Sequence, residues 1–254
     1  INALHPEDSV AVLHYHDKAE IIAEWTNDKS LLLDVLNKKL NFGKRSVFID
    51  ALQLATQFLQ KSPLDNRHLV LITDGTDSLN KKNERDAAMN RLLATSISVH
   101  VISYTQLERV QIEPKTKGTS KSPPPKAMPD EVAATLPNGA RDLATAPKIG
   151  PTIITDRGFL RKMRERKDAL IESEKYLYNL AESTSGEFIL PETGEEMLDK
   201  TSQVAQLIDS HYVVTYTPKR PLSEASKGEI RNIVVSSKRQ GLQVMARRKL
   251  VIEE

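Results

Sequence analysis

The sequence predicts an α/β fold, in which a mainly parallel sheet is flanked by helices and an antiparallel β-hairpin follows near the C-terminal end. Strand-like and helix-like hydrophobic patterns alternate along residues 47–104, which favours parallel strands joined by helical crossovers. Residues 68–73 (HLVLIT) form a continuous apolar run, typical of a strand covered on both faces. Residues 230–237 and 242–251 are β-rich on either side of a polar turn, which predicts the hairpin.

The N-terminal part predicts a hairpin and then two helices. Residues 9–16 and 19–26 are β-rich and flank a tight turn at Asp17 and Lys18. Asp28 is the predicted N-cap of a short leucine-rich helix that precedes a loop at residues 41–45. Apolar residues keep a helical period along residues 47–61, and Pro63 ends that helix.

The remaining elements continue the alternation. Residues 68–73 are predicted to be a central parallel strand of a Rossmann-like sheet. The patterns further along predict these elements: a helix at 84–95, a strand at 96–104, a helix at 156–182, a strand at 187–190, a helix at 195–210 and a strand at 212–217.

Composition excludes several classes of function. Hydrophobic residues make up 39% of the 254 positions and charged residues 28%, the balance of a globular protein, and no apolar run is long enough to span a bilayer. The net charge of +2 comes from interspersed charges, so we expect no nucleic-acid partner. Because cysteine is absent, disulfides, thiolate metal sites and cysteine nucleophiles are excluded.

A proline-rich segment interrupts the pattern. Residues 111–155 hold eight of the thirteen prolines, mixed with lysine, serine, threonine and glycine. Such a composition lacks the apolar content that would offset the entropy of ordering. We therefore predict an insertion or tether, with outer bounds at residues 105–155.

Three stretches together resemble the von Willebrand factor type A domain, in particular a bacterial branch with a C-terminal β extension. Residues 6–12 followed by 17–20 are similar to that family's second and third strands. Residues 46–52 (SVFIDAL) resemble its threonine loop, with Ser46 where threonine is usual. Residues 69–77 (LVLITDGTD) resemble its fourth strand and aspartate turn. Residues 180–188 and 212–218 are similar to the end of the bacterial branch.

The resemblance implies a domain organisation and reveals one departure. It implies a von Willebrand-like domain at 1–217, interrupted by the insertion at 105–155, and a β-hairpin extension at 218–254. The family's first strand, which carries a D-x-S-x-S loop, has no counterpart here, since nothing before Leu4 supplies it. That strand lies between the second and fourth strands of the family sheet. We expect an earlier segment of the protein, or another chain, to supply it.

The resemblance also implies a site for Mg²⁺. In the family, the D-x-S-x-S loop, the threonine and the aspartate hold this ion at the carboxyl edge of the sheet, and hard oxygen ligands are what Mg²⁺ prefers. Ser46 corresponds to the hydroxyl ligand and Asp74 to the carboxylate. A helix N-cap at Ser46 and an ordinary turn at Asp74–Gly75 also explain both residues, and the cations Lys44 and Arg45 oppose metal binding. The sequence thus predicts a partial, degenerate metal site.

Two other groups of side chains are candidates for binding. His14 and His16 share one face of a strand, so they form either a metal-binding pair or half-buried histidines, and no third ligand is evident nearby in sequence. The basic residues between 156 and 167 either meet phosphate or an acidic protein, or form a solvated face.

The expected function is that of a non-catalytic module that binds other proteins within an assembly, since none of the common catalytic motifs is present. One alternative is a structural subunit that binds no metal. The other is a metal-dependent hydrolase in which Asp74 joins His14 or His16. Resemblance to exported bacterial relatives implies an extracytoplasmic location, either the periplasm or the cell exterior.

Overall fold

The computed structural model describes residues 1–40, 43–64, 66–78, 82–117, 119–120, 152–153, 157–209, 214–241, 244 and 246–252. Two compact units are present, one formed by residues 1–107 and 170–254 and the other by residues 108–169. Most of the predicted proline-rich insertion lies outside the described residues. Within its predicted bounds, Thr105–Thr116 is helical, which the sequence analysis did not predict.

The elements follow the predicted order. The strands are β1 (Val10–Tyr15), β2 (Ala19–Thr26), β3 (His68–Thr73), β4 (Ser98–Ser103), β5 (Thr119–Ser120), β6 (Thr152–Ile153), β7 (Phe188–Ile189), β8 (Ile230–Asn232) and β9 (Lys249–Val251). The helices are α1 (Lys29–Lys39), α2 (Phe48–Gln60), α3 (Lys82–Leu93), α4 (Thr105–Thr116), α5 (Arg157–Ser183) and α6 (Gly194–Asp209). A 3₁₀ turn at Leu222–Glu224 precedes β8.

A three-stranded parallel sheet with the order β3-β4-β7 organises the larger unit. Among the described residues, β4 is the central strand of this sheet and β3 lies at its border, so residues 68–73 do not have the predicted central position. Val70 and Ile72, on one face of β3, are exposed, whereas five of the six residues of β4 are buried. A continuous apolar run shows that a strand has apolar residues on both faces, but not how many neighbouring strands it has.

Helices pack on both faces of this sheet, as the α/β prediction requires, but the face of β3 that carries Val70 and Ile72 is exposed. On one face, α2, α3 and the C-terminal half of α5 enclose the main core, whose largest buried side chains include Phe48, Leu52, Leu92 and Leu177. On the other face, α6 packs Val204 against Ile102 and Ile189. Burial of such apolar surface stabilises a fold by roughly 25 cal/mol per Å², so these two clusters hold the sheet in place.

The N-terminal hairpin confirms the predicted strands and turn. β1 pairs antiparallel with β2, and the register places His14 opposite Glu20 and Tyr15 opposite Ala19. The hairpin packs on α2, where the rings of Trp25 and Phe58 stack with centroids 5.2 Å apart. Residues 16–18 form the connection, in which the His16 N–H donates to the Lys18 carbonyl at 3.0 Å.

The helix after this hairpin begins as predicted. The Asp28 carboxylate caps α1 by accepting hydrogen bonds from the Ser30 and Leu31 amides at 2.9 and 3.0 Å. Two of the N–H groups that lack partners in the first turn of any helix are thereby satisfied.

The C-terminal hairpin is shorter than predicted and separate from the parallel sheet. β8 and β9 pair antiparallel as their own two-stranded sheet, with Ile230 opposite Val251. The predicted strand at 212–217 is not found where it can be checked, since residues 214–217 form no strand and residues 210–213 lie outside the described part.

The smaller unit pairs basic residues with acidic residues of α4. The Arg166 guanidinium makes a two-point contact with the Glu108 carboxylate, with N–O distances of 2.7 and 2.8 Å. Lys167 and Lys117 both contact the Glu113 carboxylate, which holds the pKa of Glu113 below its usual value. Part of the predicted basic face is therefore neutralised within this unit.

Candidate functional site

The candidate site lies at the carboxyl ends of β1 and β3. Tyr15 is the last residue of β1 and Thr73 the last of β3, and their hydroxyls share a hydrogen bond of 2.5 Å. Tyr15 also packs on Phe48 in the main core. Burial raises the pKa of Tyr15, and the nearby acidic groups of Asp74 and Asp77 raise it further. A neutral phenol therefore joins the hairpin to the end of β3.

A tightly hydrogen-bonded turn follows β3. The Gly75 amide donates to Thr73 Oγ1 at 2.8 Å, while Asp74 Oδ1 accepts hydrogen bonds from the Thr76 amide at 2.9 Å and the Thr76 hydroxyl at 3.0 Å. Asp74 is only 7% exposed. Gly75 has φ +64°, a left-handed conformation that glycine adopts without steric cost. The sequence Asp-Gly predicted this turn.

Ser46 lies against this turn, as the resemblance implied. Its hydroxyl donates to the Thr76 carbonyl at 2.8 Å, and its amide donates to the Ser78 hydroxyl at 2.8 Å. The Ser78 amide in turn donates to the Ser46 carbonyl at 2.8 Å. The loop before α2 and the turn after β3 are thus held together by three hydrogen bonds.

The alternative role of Ser46 as a helix cap is wrong. Val47 is the N-cap of α2 and makes no side-chain capping bond. The helix is capped from another part of the chain, because Asp77 Oδ2 accepts a hydrogen bond from the Ile49 amide at 3.0 Å. Asp77 stands within the quoted LVLITDGTD motif, but its long-range capping role could not be found from local sequence.

The turn is supported from behind by α5, a contact that sequence reasoning missed. The Ser173 hydroxyl donates a hydrogen bond to the Asp74 carbonyl. A Cβ atom at Gly75 would come within 2.5 Å of Ser173 Oγ and 2.8 Å of the Leu177 side chain. Ser173 and Leu177 are four residues apart, hence on one helix face, but nothing in the sequence indicates that they meet a turn 99 residues away.

The two predicted ligands do not by themselves make a Mg²⁺ site. A magnesium ion requires close to six oxygens in octahedral geometry, whereas Ser46 and Asp74 supply two side chains. The Ser46 hydroxyl and Asp74 Oδ1 already take part in hydrogen bonds within the loops. Lys44 and Arg45 are exposed beside Ser46, where their charges oppose a cation. The observed contacts fit a hydrogen-bonded turn better than a metal centre.

The two histidines belong to a cluster that does not include Asp74. One ligand atom each from His14, His16 and Glu20 lies within 4.8 Å of the other two. Among the described residues, no group of three or more histidine, cysteine or acidic side chains at such spacing contains Asp74. The partnership of Asp74 with either histidine therefore stays a prediction.

Comparison with known families confirms the resemblance for the N-terminal part of the chain. A family model described as the von Willebrand factor type A domain matches residues 1–76. The matched range contains the hairpin, α1, α2 and β3, together with Ser46 and Asp74. No curated protein matches the chain. Among the described residues, none of the helices combines the length and apolar character needed to cross a bilayer.

Distant similarity to solved structures extends over more of the chain. The conserved hypothetical protein BatB from Bacteroides thetaiotaomicron is 13% identical, with 83% of each chain covered and a TM-score of 0.41. An aerotolerance-related membrane protein from Bacteroides fragilis is 13% identical, with 81% of each chain covered and a TM-score of 0.41. An uncharacterized membrane spanning protein from Vibrio fischeri is 14% identical, covers 79% of this chain and 76% of its own, and has a TM-score of 0.26.

Proposed function

We propose that this chain, whose residues 1–76 match the von Willebrand factor type A family, is a non-catalytic module that binds other proteins within an assembly. The observation that carries the proposal is the junction between Ser46 and the turn at residues 74–78. Hydrogen bonds hold two loops rigidly at the carboxyl edge of the sheet, where open α/β folds bind their ligands. Rigid loops lose little conformational entropy on binding, which favours recognition of a protein partner.

The proposed surface is this loop edge, comprising residues 43–46 and 74–78. Its exposed members include Lys44, Arg45 and Ser78, whereas Asp74 is buried beneath them. The surface thus presents basic and hydroxyl groups above one buried carboxylate. A partner with acidic or hydrogen-bond-accepting groups at the contact complements it.

The metal site within this surface is proposed to be partial and degenerate. If Mg²⁺ bound, it would supply a positive charge for a partner carboxylate, and Ser46 and Asp74 would be its ligands in this chain. Both residues instead contribute to the loop junction through their hydrogen bonds. The metal-free structural subunit remains the second candidate function, and these same hydrogen bonds favour it.

Site-specific photocrosslinking tests the proposed surface. A benzoylphenylalanine is placed at Lys44, in the loop before α2, and a control is placed at Gln60, at the opposite end of the same helix. The two positions are roughly 20 Å apart, since α2 has 13 residues. In cells of the source organism, we expect Lys44 to yield a discrete crosslinked protein and Gln60 to yield none. Equal products at both positions, or none at either, would overturn the proposal.

An Asp74→Asn variant then distinguishes a degenerate metal site from a working one. Asparagine keeps the Oδ1 acceptor for Thr76 but removes the charge that Mg²⁺ requires. For a degenerate site we expect the Lys44 crosslink to persist in the variant and in the presence of a chelator. A crosslink that disappears in both cases would instead establish a working metal site. Asp74→Ala removes both the charge and the hydrogen bonds to Thr76, so it serves as a positive control for loss of the turn.

The proposal includes an extracytoplasmic location and the absence of catalysis. The family resemblance supports both, and a chain without cysteine is compatible with an oxidising compartment. Protease treatment of intact cells and of spheroplasts locates the protein. Degradation only after lysis of the cytoplasmic membrane would contradict the proposed location, and turnover of generic esters or phosphates by the purified protein would contradict a non-catalytic role.

A further inference from the structure

Three metal-ligating side chains meet at the closed end of the N-terminal hairpin. The register of β1 and β2 places His14 directly opposite Glu20, and His16 follows His14 two residues later. Side chains alternate along a strand, so Tyr15 points to the opposite face, where it packs in the main core. The cluster thus lies on the opposite face of the hairpin from Tyr15, and Gly43 of the loop edge packs against its member His16. Its third member, Glu20, comes from the neighbouring strand, which the sequence analysis did not consider.

The spacing of the cluster is close to that of a metal site. One ligand atom from each of the three side chains lies within 4.8 Å of the others, and the two imidazole rings have centroids 5.1 Å apart. Two ligands of a tetrahedral zinc ion, each about 2.1 Å from the metal, are roughly 3.4 Å apart. The ligand atoms are therefore at most about 1.4 Å further apart than in a tetrahedral site, a difference that small side-chain rotations can close.

One nitrogen of the cluster lacks a partner. His14 Nδ1 is buried and makes no hydrogen bond to any part of the chain that the structure describes. A buried polar atom without a partner destabilises the folded state, so such atoms are uncommon in native proteins.

We propose that His14, His16 and Glu20 bind one divalent transition metal of the zinc class, with water in the remaining coordination position. Two imidazoles and one carboxylate suit zinc, whereas Mg²⁺ prefers oxygen ligands alone. The three ligands are distinct from the residues of the protein-binding surface proposed above, although Gly43 of that surface packs against His16. A bound ion links β1 to β2 beside their turn. It either coordinates the buried His14 Nδ1 or holds in place the ring that carries this nitrogen.

Two neighbouring groups compete with a metal for the cluster. Lys18 Nζ lies 2.6 Å from Glu20 Oε2, so an ammonium group competes for this carboxylate. The Asp17 amide donates a hydrogen bond to His16 Nδ1 at 2.6 Å, so an ion bound at this nitrogen has to displace that bond. Gly43 lies against the His16 ring, since a Cβ there would come within 2.7 Å of it.

Calorimetric titration of the chelator-treated chain with Zn²⁺ tests the proposal, with Co²⁺ as a spectroscopic probe. We expect one ion per chain and visible Co²⁺ absorption bands of a four-coordinate N/O site. His14→Gln, His16→Gln and Glu20→Gln should each weaken Zn²⁺ binding about tenfold or more. Lys18→Met should strengthen it, because the competing ammonium group is removed.

Matched controls separate this site from nonspecific binding and from the loop edge. Glu24→Gln, an exposed position on the same strand as Glu20, should leave Zn²⁺ affinity unchanged, and so should Asp74→Asn. Circular dichroism identifies any variant that does not fold, and the three ligand substitutions give independent readings. The absence of stoichiometric binding in the parent chain, or affinity unchanged in all ligand variants that fold, would overturn the proposal. Partner crosslinking at Lys44 is scored in a separate experiment, so its failure and the failure of Zn²⁺ binding are distinguishable.

Discussion

Replacement of Gly75 by alanine tests the packing of the turn against α5. Two costs arise from the structure. The backbone φ of +64° is left-handed, which costs an L-residue about 1 to 2 kcal/mol. The added Cβ comes within 2.5 Å of Ser173 Oγ and 2.8 Å of Leu177, and relieving such overlap in a packed region costs about 1 to 3 kcal/mol. We therefore expect Gly75→Ala to lower the free energy of unfolding by about 2 to 5 kcal/mol.

Gly228 provides the matched control for this experiment. Its φ is +78°, yet a Cβ atom there would meet nothing within 4 Å, so Gly228→Ala carries only the backbone cost of about 1 to 2 kcal/mol. Urea unfolding followed by circular dichroism measures both variants. With an m-value of about 2 kcal/mol/M, the midpoint shift is about 1 to 2.5 M for Gly75→Ala and about 0.5 to 1 M for Gly228→Ala. Equal shifts would refute the close contact between the turn and α5.

Two further predictions concern hydrogen bonds, one between Tyr15 and Thr73 and the other between Arg166 and Glu108. Tyr15→Phe removes the bond to Thr73 and should cost about 1 kcal/mol at neutral pH. Because burial raises the pKa of Tyr15 in the folded state, the parent protein should lose stability as the pH rises above about 10, and this loss should be smaller in Tyr15→Phe; an unchanged slope would show that the phenol is not buried. Arg166→Lys loses the two-point contact with Glu108 and should cost about 0.5 kcal/mol, less at high salt. Thermal melts at low and high salt check this, and a salt-independent change would contradict it.

Local patterns in the sequence predicted most of the elements, because the relevant signals act within a few residues. The Asp28 cap, the helical period that ends before Pro63 and the hairpin turn at Asp17 are such cases. The place of β3 in its sheet was not predictable in this way. It depends on which strands pair at both edges, and the composition of residues 68–73 is the same in either position.

The site shows the same division between local and distant causes. The turn at Asp74 and Gly75 follows from residue types alone, and the family resemblance placed Ser46 beside it. The cap that Asp77 provides to α2 and the support from Ser173 are contacts between distant segments. Cross-strand register likewise decides that Glu20 joins the histidines, and register emerges only when two strands are paired.

The stacking of Trp25 on Phe58 gives the molecule an internal optical reporter. Trp25 is the single tryptophan of the chain, so all indole emission originates where β2 rests on α2. Fluorescence therefore monitors release of the hairpin from this helix, while circular dichroism monitors the helices as a whole. Coincidence of the two signals during denaturation establishes that the hairpin and the parallel sheet unfold as one cooperative unit, and an earlier fluorescence change identifies the hairpin as the first part to detach.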